Sequence, residues 1–239
     1  MSSSPLAAAD TAARVDLYST IHKALRHFMH DTLHRLGAVD VDDEQELSLA
    51  LDQLQRLLQL LRSHIRHEND FVHTAIEARQ PAGASALADE HLAHRESIDA
   101  LRAEGEALRV ASPAARCAAA LRLYRHLALF VAENLQHMHA EETRHNALLW
   151  AHYTDADLLA LHERLLRSVA PADMQDCLHW MAPALTPQEL GAVLCGMQRE
   201  APPEPFRQVL QRVRSRLDDA RWRKVSRALA PAAVAAALS

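Results

Sequence analysis

From Thr11 to Trp150 the apolar residues recur at intervals of three and four, and the pattern stops wherever glycine, proline or clustered acidic residues intervene. That period marks one face of an amphipathic helix, and it predicts four long ones. The first runs from about Thr11 to Leu36 and is closed by Gly37 and the acidic turn of Asp40, Asp42 and Asp43. The second runs from about Glu44 to Arg79 and ends at Gln80-Pro81-Ala82-Gly83. The third starts after Ser85 and reaches about Arg109, beyond which Ser112-Pro113 ends it. The fourth runs from about Pro113 to Trp150, with proline in the first turn, where the N–H it lacks would be unpaired anyway. Short connections make successive helices turn back on one another. The expected architecture is therefore all-α: an up-down-up-down four-helix bundle over residues 12–150.

The rest of the chain reads differently. Thr154 caps a short helix, Pro171-Ala172-Asp173 starts another, and Thr186-Pro187-Gln188-Glu189 is a capping box with proline at the first helical position. Ala201-Pro202-Pro203 interrupts the chain before two more short helices and an alanine-rich tail. Residues 151–239 are expected to form a smaller all-helical unit, or a collar packed on the bundle, with no role legible in the sequence.

Composition narrows the classes. Only 5 glycines and 4% aromatic residues argue against a sheet sandwich or a nucleotide-cradling α/β fold. With 26 Lys and Arg against 31 Asp and Glu, the net charge of −5 lacks the basic footprint that nucleic-acid binding requires. The three cysteines, Cys117, Cys177 and Cys195, are odd in number and far apart, which suits reduced thiols rather than a disulfide framework. The start, MSSSPLAAAD, has no basic stretch followed by an apolar one, so no secretory signal is expected there. No apolar run is long enough to span a membrane. A cytoplasmic protein is expected, without a membrane or nucleic-acid partner.

The anomaly is histidine, at 16 of 239 residues. It has no special value for building helices or packing cores. Two predicted helices carry the same phrase, His64-Ile65-Arg66-His67-Glu68 and His137-Met138-His139-Ala140-Glu141. In each, a His and a Glu four residues apart share one face and can reach the same ion or two neighbouring ions. Those faces are otherwise apolar, with Leu57 and Leu61 before His64, Phe71 and Ala75 after Glu68, Phe130 before His137 and Leu148 after Glu141. An unpaired Glu in such a core would cost on the order of several kcal/mol, so a partner is demanded.

The other two helices supply candidates. His22 interrupts the stripe Val15, Tyr18, Leu25, Met29, Leu33 and Leu36, and His91 interrupts Leu87, Ile98 and Leu101. In antiparallel helices, residues at one height are symmetric about the connecting turn. The midpoints between positions 22 and 66, 66 and 91, and 91 and 139 fall at Glu44, between Ala78 and Arg79, and at Ala115, each beside a turn assigned independently. His22, His64, Glu68, His91, His137 and Glu141 are therefore expected to form one layer inside the bundle.

In this order and at these separations, the residues resemble the hemerythrin-like (HHE cation-binding) domain family, four-helix bundles that hold a non-haem di-iron centre. The resemblance covers about residues 12–150. It implies His22, His64, His91 and His137 as terminal imidazole ligands, with Glu68 and Glu141 bridging two non-haem iron ions. Zinc or manganese would also suit this mixture of donors. The oxygen-carrying members have His-x3-His on the third helix, whereas the second position here is Arg95, taken to face inward. The set is then one ligand short. His94, His67, Tyr18 and His145 are the candidates to complete it, and Glu142 competes with Glu141 for the bridge.

An open coordination position favours redox chemistry or sensing over reversible oxygen storage, and the leading reading is a protein that binds or senses a small diatomic ligand, oxygen or nitric oxide. The alternative from another class is a di-iron redox enzyme of the nitric oxide reduction, peroxide reduction or iron–sulfur repair type. A third reading makes the bundle a metal-stapled scaffold for the C-terminal helices. A homodimer is the assembly to test for. His27, His30, His34, His73, His126, His139, His152, His162 and His179 lie off the ligand stripe and are read as surface histidines. A ferritin-like arrangement needs two Glu-x-x-His motifs, and only Glu142-Thr143-Arg144-His145 fits.

Overall fold

The computed structural model describes residues 14–237, which are helical nearly throughout, with no strand among the described residues. The MSSSPLAAAD segment, the expected helix start at Thr11 and the expected domain start at residue 12 lie outside the described residues. No helix among the described residues is long and apolar enough to cross a membrane.

Helix α1 spans Ser19–Ala38, beginning well after Thr11. The Asp16 carboxylate sets the start, accepting hydrogen bonds from the Tyr18 and Ser19 backbone N–H groups at 2.8 and 3.1 Å. At the other end α1 runs through Gly37 rather than stopping at it. A Cβ there would lie 2.8 Å from the Tyr124 ring, so the glycine serves close helix packing. Helix α2, Glu44–His67, is capped by Asp43, whose side chain accepts from Gln45 N and Glu46 N. It passes directly into a π-helical segment, Glu68–His73, and then into α3, Thr74–Arg79. Helix α4 spans Ser85–Arg109. Helix α5, Pro113–Ala140, likewise continues through a π-helical segment, Glu141–His145, into α6, Asn146–His152.

The second rod thus ends at Arg79 as expected and the fourth runs to His152, two residues past Trp150, but each contains a π turn. Such a turn closes i→i+5 bonds instead of i→i+4, so the residues beyond it are shifted by one position around the rod. The inward residues after Glu68 are consequently Val72, His73 and Ile76, while Phe71 and Ala75 are only half-buried. After Glu141 they are His145, Asn146 and Leu149, while Leu148 is half-buried.

The four rods pack in a ring, α1 against α2, α2 against α4, α4 against α5, and α5 against α1. Away from the histidines the interior is leucine-rich, with Leu51, Leu54, Leu57, Leu101, Leu123 and Leu127 all buried. Each such side chain contributes roughly 1.5–3 kcal/mol by leaving water.

Five further helices follow: α7 (Asp155–Ser168), α8 (Pro171–Ala184), α9 (Pro187–Glu200), α10 (Pro203–Arg214) and α11 (Asp219–Ala237). The capping boxes Thr154/Asp157 and Thr186/Glu189 both form. Helix α8 lies along α1 and also touches α2. Trp180 stacks on Phe28 with ring centroids 4.0 Å apart, and Cys177 and Trp180 join the same buried cluster as the ring interior. Ser63 donates to Asp173 at 2.6 Å and Lys23 to Glu189 at 2.5 Å, tying α8 and α9 to the ring. Farther out, Leu185, Leu190, Leu194, Val213, Leu217 and Val225 form a separate small cluster.

Candidate metal centre

The ring brings all six sequence-predicted ligands into one buried layer. His22 Nε2 lies 3.6 Å from Glu68 and 3.4 Å from Glu141, and His64 Nε2 lies 3.0 Å from Glu68. Across the layer, His91 Nε2 is 3.5 Å from Glu68 and 3.7 Å from Glu141, and His137 Nε2 is 3.3 Å from Glu141. Two overlapping donor groups result, His22, His64, Glu68 and Glu141 on one side and His91, His137, Glu68 and Glu141 on the other. Within each group the donor atoms all lie within 4.8 Å of one another. Both carboxylates belong to both groups.

The donors suit a cation better than one another. All four oxygens of Glu68 and Glu141, together with Nε2 of His22 and His64, are buried without a hydrogen-bond partner. The Nε2 atoms of His91 and His137 approach to 2.9 Å. Donors bound about 2.1 Å from a common ion stand roughly 3.0–3.4 Å apart, and the His–Glu distances in this layer, 3.0 to 3.7 Å, lie at or just beyond that range.

The outward nitrogens of three of these rings are held. His22 Nδ1 is 3.0 Å from Glu142, which also accepts two bonds from Arg26 at 2.6 and 3.0 Å. His91 Nδ1 is 2.8 Å from Asn69 Oδ1, and His137 Nδ1 is 2.7 Å from Glu90. With Nδ1–H donating to these acceptors, the Nε2 lone pair points into the layer, the tautomer that metal ligation needs. Glu142 is therefore no competitor for the bridge. It belongs to none of the donor groups and orients His22 instead.

Electrostatics shows how much positive charge the layer calls for. Burial pushes the Glu68 carboxyl up, but His64, His22 and His91 hold it well below its usual range. Burial and the charge of Glu68 push Glu141 up, and the neighbouring imidazoles of His137 and His91 outweigh both. Burial pulls the His22 imidazole down, yet the hydrogen bond to Glu142 and the nearby carboxylates of Glu68 and Glu141 raise it to about 9. His91 is raised to about 9 against the same burial, by Glu141 and Glu68. Two adjacent buried carboxylates thus draw protons onto the imidazoles, as a cation would make unnecessary.

His73 was read as a surface histidine, and the structure corrects that. It is buried, neither ring nitrogen has a hydrogen-bond partner, and its ring stacks on His91 at 4.8 Å. Burial, then the charges of His91 and His145, lower it to about 4. With Glu141 and His145 it forms a third donor group. His145 was among the candidates to complete the set, and its Nδ1 meets Tyr18 Oη at 3.1 Å. Tyr18 reaches the site through that contact. The missed signal is the five-residue step from Glu68 to His73, which shares a face only across a π turn.

Arg95 does not face inward; it is exposed, whereas His94 is buried with its ring 4.8 Å from His137. At about 100° per residue, Arg95 lies roughly 90° from the mean direction of Leu87, Ile98 and Leu101, and His94 within about 15° of it. His94 nevertheless belongs to none of the three donor groups, and neither does His67. Of the remaining histidines, His30, His34, His139, His152 and His179 are exposed, and His27, His126 and His162 are half-buried.

Compared with protein-family models, with curated proteins and with solved structures, the chain matches none.

Proposed function

We propose that the protein is a hemerythrin-like four-helix bundle that holds two non-haem iron ions and binds or senses a small diatomic ligand, oxygen or nitric oxide. The observation that carries this reading is the pair of overlapping donor groups sharing Glu68 and Glu141. His22 and His64 would hold one ion and His91 and His137 the other, with the two carboxylates spanning both. This set of imidazoles and carboxylates suits iron, manganese or zinc. Iron, when bound, supplies exchangeable coordination positions and one-electron redox chemistry. The chain itself contributes the orientation of three imidazoles through Glu142, Asn69 and Glu90, and the burial of both carboxylates. Three free cysteines support a reducing compartment, the cytoplasm.

Metal analysis of protein purified from iron-replete cells tests the reading. Close to two ions per chain, mainly iron, is expected, and one zinc with no iron would overturn it. The redox-enzyme alternative draws support from the Tyr18–His145 pair, a buried phenol bonded to an imidazole beside Glu141, which offers a short proton path. Sustained turnover of peroxide or nitric oxide with an added reductant would favour that alternative.

A further inference from the structure

Helices α7 and α8 close over a cavity of about 100 Å³ against α1 and α2. His64 and Glu68 of the metal layer form part of its wall, while Val72, Leu165, Met174 and Cys177 make much of the remainder apolar. His67 also lines it. That side chain is 7% exposed, and its Nε2 has no hydrogen-bond partner.

We propose that this cavity seats a small uncharged molecule of two or three heavy atoms next to the metal layer, and that His67 Nε2 is its hydrogen-bonding contact. The part concerning the ions rests on the function proposed above; the cavity and its contact do not. Size sets the upper limit. A water molecule occupies about 30 Å³ of liquid, and an apolar cavity of roughly 150 Å³ admits xenon or benzene, so this space takes little more than a diatomic or triatomic molecule. Charge sets the kind. No Lys or Arg lines the cavity, its carboxylates are those of Glu68 and Asp173, and Asp173 is already bonded to Ser63. An anion would meet like charge, and any ion would lose hydration against the apolar wall. The inference also gives the C-terminal helices a task, since α7 and α8 supply Leu165, Met174 and Cys177 to the wall that His64 and Glu68 share.

The test uses the full-length protein as purified. Xenon, followed in pressurised crystals or by xenon NMR, should occupy the cavity in the wild type and be excluded by Leu165→Phe and by Met174→Phe. These substitutions lie on different helices outside the ring, and unchanged ion content reports that each variant is folded. Nitric oxide binding to the reduced protein should associate at least about tenfold more slowly in both. His67→Ala should keep xenon and ions but speed nitric oxide release by about tenfold, the cost of one lost hydrogen bond, and His67→Gln should recover most of the loss. Absence of xenon from the wild-type cavity, or nitric oxide kinetics indifferent to both obstructing variants, would overturn the proposal. Protein that lacks ions yet seats xenon would overturn the di-iron reading and leave the cavity standing.

Discussion

The ring has two halves made by the same four rods and held together by different physics. In one half Leu51, Leu54, Leu101, Leu123 and Leu127 meet, and removal of apolar surface from water is sufficient. In the other, His22, His91, His137, Glu68 and Glu141 are buried just as deeply together with His73, His94 and His145, and His64 is half-buried at their edge. Hydrophobic burial cannot account for that half. Its polar groups are stable there only if something positive is shared among them, protons on the imidazoles or cations between them. The leucine half should therefore fold alike in all conditions, and the histidine half should depend on what fills it.

Removing the ions should break the symmetry between the halves most strongly. At a free-ion concentration a thousand times each dissociation constant, two sites add roughly 8 kcal/mol, so chelation should lower the melting temperature by on the order of 20 °C. Hydrogen exchange should then show lost protection from His64 to Ile76 and from His137 to Leu149, with Leu47 to Leu61 still protected. Equal melting with and without chelator would remove the distinction. Glu141→Ala should reproduce the chelated state, because both donor pairs use that carboxylate.

Next in size, Leu54→Ala should destabilise the protein by about 2–5 kcal/mol through the cavity it leaves. Leu54 is fully buried in the leucine half, so denaturant titration should give the same loss with or without ions.

The pH dependence should differ between the two states. In ion-free protein, His22 and His91 are raised to about 9, so their contribution is complete below about 6.5 and is lost as the pH rises through 9. His73 and His94 are lowered to about 4, mainly by burial, so their contribution is present above about 6.5 and is lost as the pH falls toward 4. These groups give the ion-free protein greatest stability near pH 6.5. Ligation requires neutral imidazoles, so ion affinity grows with pH. Melts at pH 6.5 and 8.5 should show the gap between ion-loaded and ion-free protein widening. The smallest effect belongs to Arg95→His, which should leave ion content unchanged and stability within about 0.5 kcal/mol, because the residue is exposed.

The contrast between the halves also explains what could be read from the chain. Breakers such as Asp43, Gln80-Pro81 and Ser112-Pro113 act locally, so Glu44, Arg79, Ser85, Arg109 and Pro113 were legible as helix limits. The six-residue layer was legible because antiparallel rods reflect positions about their turns. What escaped depends on departures from the regular 3.6-residue repeat. The π turns at Glu68 and Glu141 moved the buried positions from Phe71 and Ala75 to Val72 and Ile76, and carried His73 inside. Both registers are apolar apart from that histidine, so periodicity could not choose between them. The outward face of Arg95 was open to angular placement along its own helix, whereas the supporting contacts of Glu90, Asn69 and Glu142 follow from cross-helix distance and not from spacing along one rod. The roof of α7 and α8 was open to the sequence only as a collar of unstated position.

The stacking of Trp180 on Phe28 has a practical consequence for watching the molecule fold. The protein has 3 tryptophans, and each falls in a different apolar cluster. Trp180, carried by α8, packs on Phe28 where the collar meets the ring, Trp222 packs against the outer helices α9 to α11, and Trp150 packs at the end of the ring with Tyr18. Replacing any two by phenylalanine leaves an emitter confined to one cluster, with no extrinsic dye. Its spectrum should move to longer wavelength as that cluster opens. The three signals, read in one denaturant series, would order the loss of the outer helices, the seat of α8 on the ring and the ring's end, and would show whether the chain comes apart in one step or several.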